Sequence, residues 1–134
     1  MVVDLPHVAA DAREVIAGRG LEGRCQFVGG DFFREVPSGD LYLLKQILHD
    51  WDDGQCITIL GHIARAMRPG GRVVVVEMVI PEDGSPSPAP MMDLNMMALL
   101  PGRERSLREY GRLFAEAGLR LVGMQATHSP FDLV

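Results

Sequence analysis

Lysine is almost missing from this 134-residue chain: Lys45 stands alone against twelve arginines. Cysteine is nearly as scarce. Cys25 and Cys56 show no CxxC or other metal spacing, and two cysteines are too few for a disulfide framework, so reduced thiols are expected. Positive charge is in deficit. A net charge of −5 with no basic stripe argues against a protein that tracks nucleic-acid phosphates, which must displace counterions with clustered cations. Long apolar runs are missing too: none approaches the roughly 18 residues needed to cross a bilayer, and the N-terminus lacks the basic start and apolar stretch of a signal peptide. The expectation is a soluble, untargeted, cytoplasmic protein with no internal repeat or coiled-coil heptad.

What is present reads as one α/β domain. Hydrophobic residues make up 47% of the chain, and at this length folding buries roughly two thirds of the unfolded surface. Met1 to Val3, ending at Asp4, reads as a strand, and Val8, Val15 and Ile16 lie at helical spacing before Gly18 and Gly20. Cys25 to Val28 and Asp40 to Leu44 read as short strands set off by Gly29-Gly30 and Pro37-Ser38-Gly39. A helix should start at Asp52 or Asp53, bury Cys56, Leu60, Ile63, Ala64 and Met67, and end at Pro69-Gly70-Gly71. Val73 to Val76, continuously apolar and β-branched, predicts a strand covered on both faces. Pro81 to Pro90 predicts an exposed proline-rich loop within the domain. Ser106 and Glu109 form a capping-box pattern for a helix with Tyr110, Leu113, Phe114 and Ala117 on one face, stopped by Gly118. Leu119 to Thr127 and Phe131 to Val134 read as a final hairpin.

Chemistry concentrates in Leu43 to Asp53. Lys45 and His49 place a cation and a titratable base four residues apart just after an apolar strand; the competing reading is a solvated lysine and a turn histidine. Glu77 closes the Val73–Val76 strand, and in open α/β sheets ligands bind outside the carboxyl ends of strands. Glu104 is explained as well by the dipole of the helix that follows it. Asp4, at the end of the first strand, is placed to accept hydrogen bonds from ribose hydroxyls, with an ordinary turn aspartate before Pro6 as the alternative. Asp31 and Phe32 set a carboxylate beside an aromatic face, suited to adenine. Met91, Met92, Met96 and Met97 are adaptable thioethers suited to a flat apolar ligand, although helical spacing equally describes a core face. Asp93 and Asn95 lack the convergent carboxylates of a metal site, so no metal is expected.

Five segments occur in order: Asp4-Leu5-Pro6-His7, Gly29-Gly30-Asp31-Phe32-Phe33, Leu48-His49-Asp50-Trp51, Arg68-Pro69-Gly70-Gly71 and Gly102-Arg103-Glu104-Arg105-Ser106. Together they resemble the S-adenosylmethionine-dependent O-methyltransferases of the plant caffeate and bacterial polyketide-tailoring type, from Val3 to about Ser129. The resemblance implies a Rossmann-like class I methyltransferase sheet in strand order 3-2-1-4-5-7-6. Members of that family are more than twice as long, so the chain is expected to be the C-terminal part of one. The central first strand and its Gly-rich cofactor loop lie outside it, and full activity is expected to need them.

The resemblance assigns His49 as general base with Glu77 and Glu104 flanking it. Asp4, Asp31, Phe32 and Lys45 become contacts for S-adenosyl-L-methionine. Met92, Asn95, Met96 and Asp50 are the expected acceptor contacts, although Asp50 equally helps start the next helix. The implied reaction moves a methyl group onto a hydroxyl of a phenolic or polyketide-like molecule, with a homo-oligomer or a complementing fragment as partner. Two alternatives stay open: a methyltransferase-like hydroxylase, and a non-catalytic domain that associates with a longer homologue.

Overall fold

A computed structural model describes all residues, Met1–Val134. It divides into two compact units, Met1–Pro37 and Ser38–Val134.

The first unit is a small β-α-β piece. Strand β1 (Val2–Asp4) is followed by a 3₁₀ turn at Pro6–Val8, helix α1 (Ala9–Gly18) and strand β2 (Phe27–Gly29). The strands pair in parallel, with Asp4 opposite Gly29. Strand β2 starts two residues later than the apolar pattern from Cys25 implies, because the Cys25 amide closes a turn onto the Leu21 carbonyl. No side chain of α1 is fully buried, and Arg13 lies over the Phe27 ring.

The second unit holds the larger sheet. Strand β3 (Gly39–Lys45) pairs in parallel with β4 (Met67–Glu77), and β4 pairs antiparallel with β7 (Asp132–Leu133). Helix α2 (Asp53–Ala66) makes the crossover between β3 and β4. Asp52 is its N-cap: the side chain accepts from the Gln55 amide, and Gln55 reaches back to the Asp52 amide. Each such cap contributes about 1 kcal/mol. Cys56, Ile59, Leu60 and Ile63 of α2 are buried, as are Tyr110, Leu113 and Phe114 of α4 (Leu107–Glu116). The Ser106–Glu109 capping box forms, and Gly118 adopts φ +79° just past the helix, a left-handed turn that L side chains resist. A second, two-stranded parallel sheet joins β5 (Val79–Ile80) to β6 (Arg105–Ser106).

Four expectations are corrected. Helix α2 ends at Ala66, and Pro69-Gly70-Gly71 falls inside an irregular start of β4, where the β3–β4 register shifts between Gly39 and Leu41. The strand Val73–Val76 is not covered on both faces: Val75 is buried, its neighbours are half-buried, and Leu41 and Leu43 beside them on β3 are 64% and 67% exposed. Leu44 and Val75, opposite each other across the two strands, are the buried pair. Leu119–Thr127 does not form a strand; only Gln125 bridges to Leu133. The proline-rich segment is exposed from Glu82 to Pro86, but Ala89 and Pro90 belong to helix α3 (Ala89–Leu99), and Ala89 is buried. Proline is compatible with the first helical turn because the amide it lacks has no intrahelical partner there.

Candidate active site

Lys45 ends strand β3 and Gln46 takes a left-handed φ of +52°, which throws the next residues into a 3₁₀ turn, Leu48–Asp50. That turn carries His49, only 7% exposed. Its unpaired amides are met from β4: Oε1 of Glu77 accepts from the Ile47 and Leu48 N–H groups at 3.0 and 2.9 Å. The acid at the end of the apolar strand thus holds the backbone that presents the histidine.

The imidazole is gripped from another direction. Nδ1 of His49 lies 2.9 Å from Oε1 of Glu104 and 3.9 Å from Oε2 of Glu77, while Nε2 lies 3.3 Å from Oδ1 of Asp50. Glu104 is itself placed by the Asp93 carboxylate of α3, which accepts its backbone N–H at 2.9 Å. Both glutamates are buried, at 0% and 1% exposure, and each keeps one carboxylate oxygen without a protein hydrogen-bond partner. Position alone makes the stronger case for Glu77, and the resemblance sets both acids beside the ring; in the structure Glu104 touches the ring, and Glu77 serves the backbone first.

These contacts set the proton equilibria. The hydrogen bond to Glu104 raises the His49 pKa above its usual 6.5, and the nearby Glu77 charge adds to the effect against the opposing cost of burial. Burial pushes Glu77 up to about 7, despite the His49 charge and the two backbone N–H groups that favour its anion. Glu77 therefore keeps its proton well above the usual carboxylate range.

The framework behind the turn is polar and buried. Arg105, with no exposed surface, donates from Nη1 to the Leu48 carbonyl and from Nη2 to the Trp51 carbonyl, both at 2.8 Å. Asp53 accepts from the same guanidinium at 2.7 and 3.0 Å, and these bonds, with those from Arg103, outweigh burial and hold its carboxyl below the ordinary value. The Cys56 thiol donates to the Leu48 carbonyl at 3.2 Å, and burial pushes its pKa to about 11, so it is an inert packing group. Gly102 approaches so closely that a Cβ there would overlap the His49 carbonyl oxygen. Sequence reasoning gave Arg105, Asp53 and Asp93 no role in this network, because the groups they meet are distant in sequence and no local pattern marks a buried arginine.

The remaining candidates fall in both units. In the first unit, the exposed Asp4 accepts from the Leu5 amide at 2.7 Å, half-buried Asp31 accepts from the Phe33 amide at 2.9 Å, and Phe32 packs edge-on against Phe33 at 5.0 Å. A cleft of about 250 Å³ in that unit is lined by Val3, Val28, Gly29, Gly30 and Val36 among others. In the second unit, Lys45 is exposed, with Nζ 3.4 Å from Oε1 of Gln46 and 5.3 Å from the centre of the Phe131 ring. On α3, Met96 is buried, Met92 half-buried and Asn95 exposed; Met91 and Met97 are 66% and 69% exposed, so the methionines are not a core face. His7 and His128 are exposed, and His62 bonds Arg65. His49, Glu77 and Glu104 could each offer one ligand atom to a metal ion, all within 4.8 Å of one another.

Comparison with known proteins places the chain in a family. Residues 1–120 match the family model described as an O-methyltransferase domain. The phenazine O-methyltransferase of Lysobacter antibioticus is 43% identical over the whole of this chain and 40% of its own length. The mitomycin biosynthesis 6-O-methyltransferase of Streptomyces lavendulae is 43% identical over 90% of this chain and 34% of its own length. An O-methyltransferase of neocarzinostatin biosynthesis, solved with S-adenosylmethionine and 2-hydroxy-5-methyl naphthoic acid, superposes with a TM-score of 0.86 at 40% identity, covering 99% of this chain and 39% of that one. The chain thus spans about 40% of the length of such relatives. With a buried histidine–glutamate pair in an α/β frame and a family model matched over most of its residues, the chain belongs to the O-methyltransferase domain family.

Proposed function

We propose that this chain carries the proton-accepting half of an S-adenosylmethionine-dependent O-methyltransferase that methylates a hydroxyl of a phenolic or polyketide-like small molecule, with His49 as general base. The observation that carries the reading is the 2.9 Å bond between His49 and the buried Glu104. A phenol ionises near pH 10, so forming its anion at neutral pH costs about 4 kcal/mol, and a placed base supplies roughly 10²–10⁴-fold in rate. With Glu104 accepting the Nδ1 proton, Nε2 is the free acceptor for the hydroxyl proton. Once protonated, Nε2 can donate to Asp50, 3.3 Å away.

The cofactor would supply an electrophilic methyl group. The side-chain chemistry suits it. In the first unit, the exposed Asp4 carboxylate fits a ribose diol, and Asp31 with Phe32 fits adenine. Lys45, in the second unit, is a further cofactor contact. Met92 and Met96 offer an apolar wall to the acceptor, with Asn95 and Asp50 as its polar contacts. The whole domain is read as the C-terminal portion of the catalytic region.

The test is a chimaera in which this chain replaces the matching part of the Lysobacter phenazine O-methyltransferase. We expect methyl transfer to a phenolic probe detected by mass spectrometry, and a loss of about 10²–10⁴-fold in His49→Ala. An H49A chimaera as fast as its parent refutes the assignment. A second reading, in which the chain associates with a further copy or a longer homologue, is favoured by the open β3 face bearing Leu41 and Leu43.

A further inference from the structure

We propose that Arg105 is a positioning residue for His49: its guanidinium clasps the carbonyls on either side of the His49–Asp50 pair, so that the imidazole between them meets Glu104. Burying a guanidinium is costly unless its donors are used, and here they serve one purpose. Nη1 reaches the Leu48 carbonyl and Nη2 the Trp51 carbonyl, each at 2.8 Å; these two residues bracket His49 and Asp50. The Nε and Nη2 bonds to Asp53, the first residue of α2, fix the plane of the fork. Only the 3.3 Å bond to the Arg103 carbonyl stays within its own segment.

The two grips are adjacent in sequence. Glu104 holds the ring, Arg105 holds the backbone carrying that ring, and Gly102 lets the same segment press against the His49 carbonyl. Ring and backbone therefore cannot drift independently. A short turn carries too few hydrogen bonds of its own to fix a histidine, and the carbonyls at its end need outside donors. Lysine cannot substitute, because three donors on one nitrogen cannot span two carbonyls and a carboxylate as a planar fork does.

The catalytic meaning of this placement rests on His49 being the base, but the placement has its own readout. With ¹⁵N-labelled histidine, the His49 ring nitrogens are followed by NMR against pH in the parent, Arg105→Met, Arg105→Lys and Asp53→Asn chains, with His7, His62 and His128 as internal controls. We expect R105M to move the His49 midpoint down by about one pH unit and to erase the hydrogen-bonded Nδ1 proton signal, with the controls unmoved. R105K should not restore either. A folded R105M chain whose His49 titrates as in the parent overturns the proposal. If R105M does not fold, D53N decides: a smaller downward displacement supports the clasp, and an unchanged midpoint overturns it. Loss of the base assignment would instead show as an active His49→Ala chimaera, whatever the NMR result.

Discussion

Replacing Glu77 by glutamine should flatten the pH dependence of stability. Burial holds the folded-state carboxyl near 7 against an ordinary 4.5. Between those values the folded chain retains a proton that the unfolded chain has released, so stability falls as pH rises by about 1.4 kcal/mol per pH unit. The contribution is complete below 4.5 and lost by the time pH has passed about 7, a change of roughly 3 kcal/mol. His49 acts in the same direction, because its pKa is also raised and its contribution is lost as pH climbs through the folded value. The amide of Gln can still accept from the Ile47 and Leu48 N–H groups, but it cannot ionise, and it removes one of the charges that raise His49. The variant should match its parent near about pH 5 and exceed it by about 3 kcal/mol near about pH 8, measured by urea unfolding followed by circular dichroism. Parallel stability curves across that range would refute the reasoning, since they would mean that Glu77 ionises equally well in both states.

Two other perturbations probe the same frame. Gly102→Ala forces a methyl group into the His49 carbonyl, so we expect a loss of about 2–3 kcal/mol in unfolding free energy and a weakened His49–Glu104 contact; a variant as stable as the parent would show that the two segments part freely. The exposed Leu41 and Leu43 should drive concentration-dependent association on size-exclusion chromatography, relieved by Leu41→Lys together with Leu43→Lys, whereas a chain that stays monomeric when concentrated removes the association reading.

The elements most legible in the sequence were those whose signals are local. Asp52 and Gln55, or Ser106 and Glu109, lie three residues apart, and each capping box forms where the pattern places it. The strand ending at Asp4 and the strand before His49 were equally legible from short apolar runs closed by turn residues. Exposure was not. Four consecutive valines look the same whether one face or two are covered, and coverage depends on elements that no local pattern specifies. The segment after Gly118 has strand-forming residues, yet Gln125 alone finds a bridging partner, on Leu133 of the short β7 that itself pairs with β4. In the site, His49 and Glu77 stood out by position. The ranking of the two acids did not, since the bond that decides it spans 55 residues.

A count of charges explains why the two glutamates differ. Arg105 is the only arginine with no exposed side-chain surface among the ion pairs here, and Asp53 neutralises it. It therefore leaves nothing over for the acids. One imidazolium faces two buried carboxylates, and burying both as anions beside a single positive charge would cost several kcal/mol. The arrangement resolves the conflict by keeping a proton on Glu77 up to about pH 7, where its other oxygen still accepts from two backbone amides. Glu104 then pairs with the ring. The acids are not interchangeable: one fixes the turn and stores a proton, while the other orients the imidazole. An apolar pair at these positions would leave the Ile47 and Leu48 amides and the His49 ring without acceptors, so the two carboxylates hold the turn together while clustering titratable groups as a site for proton transfer does.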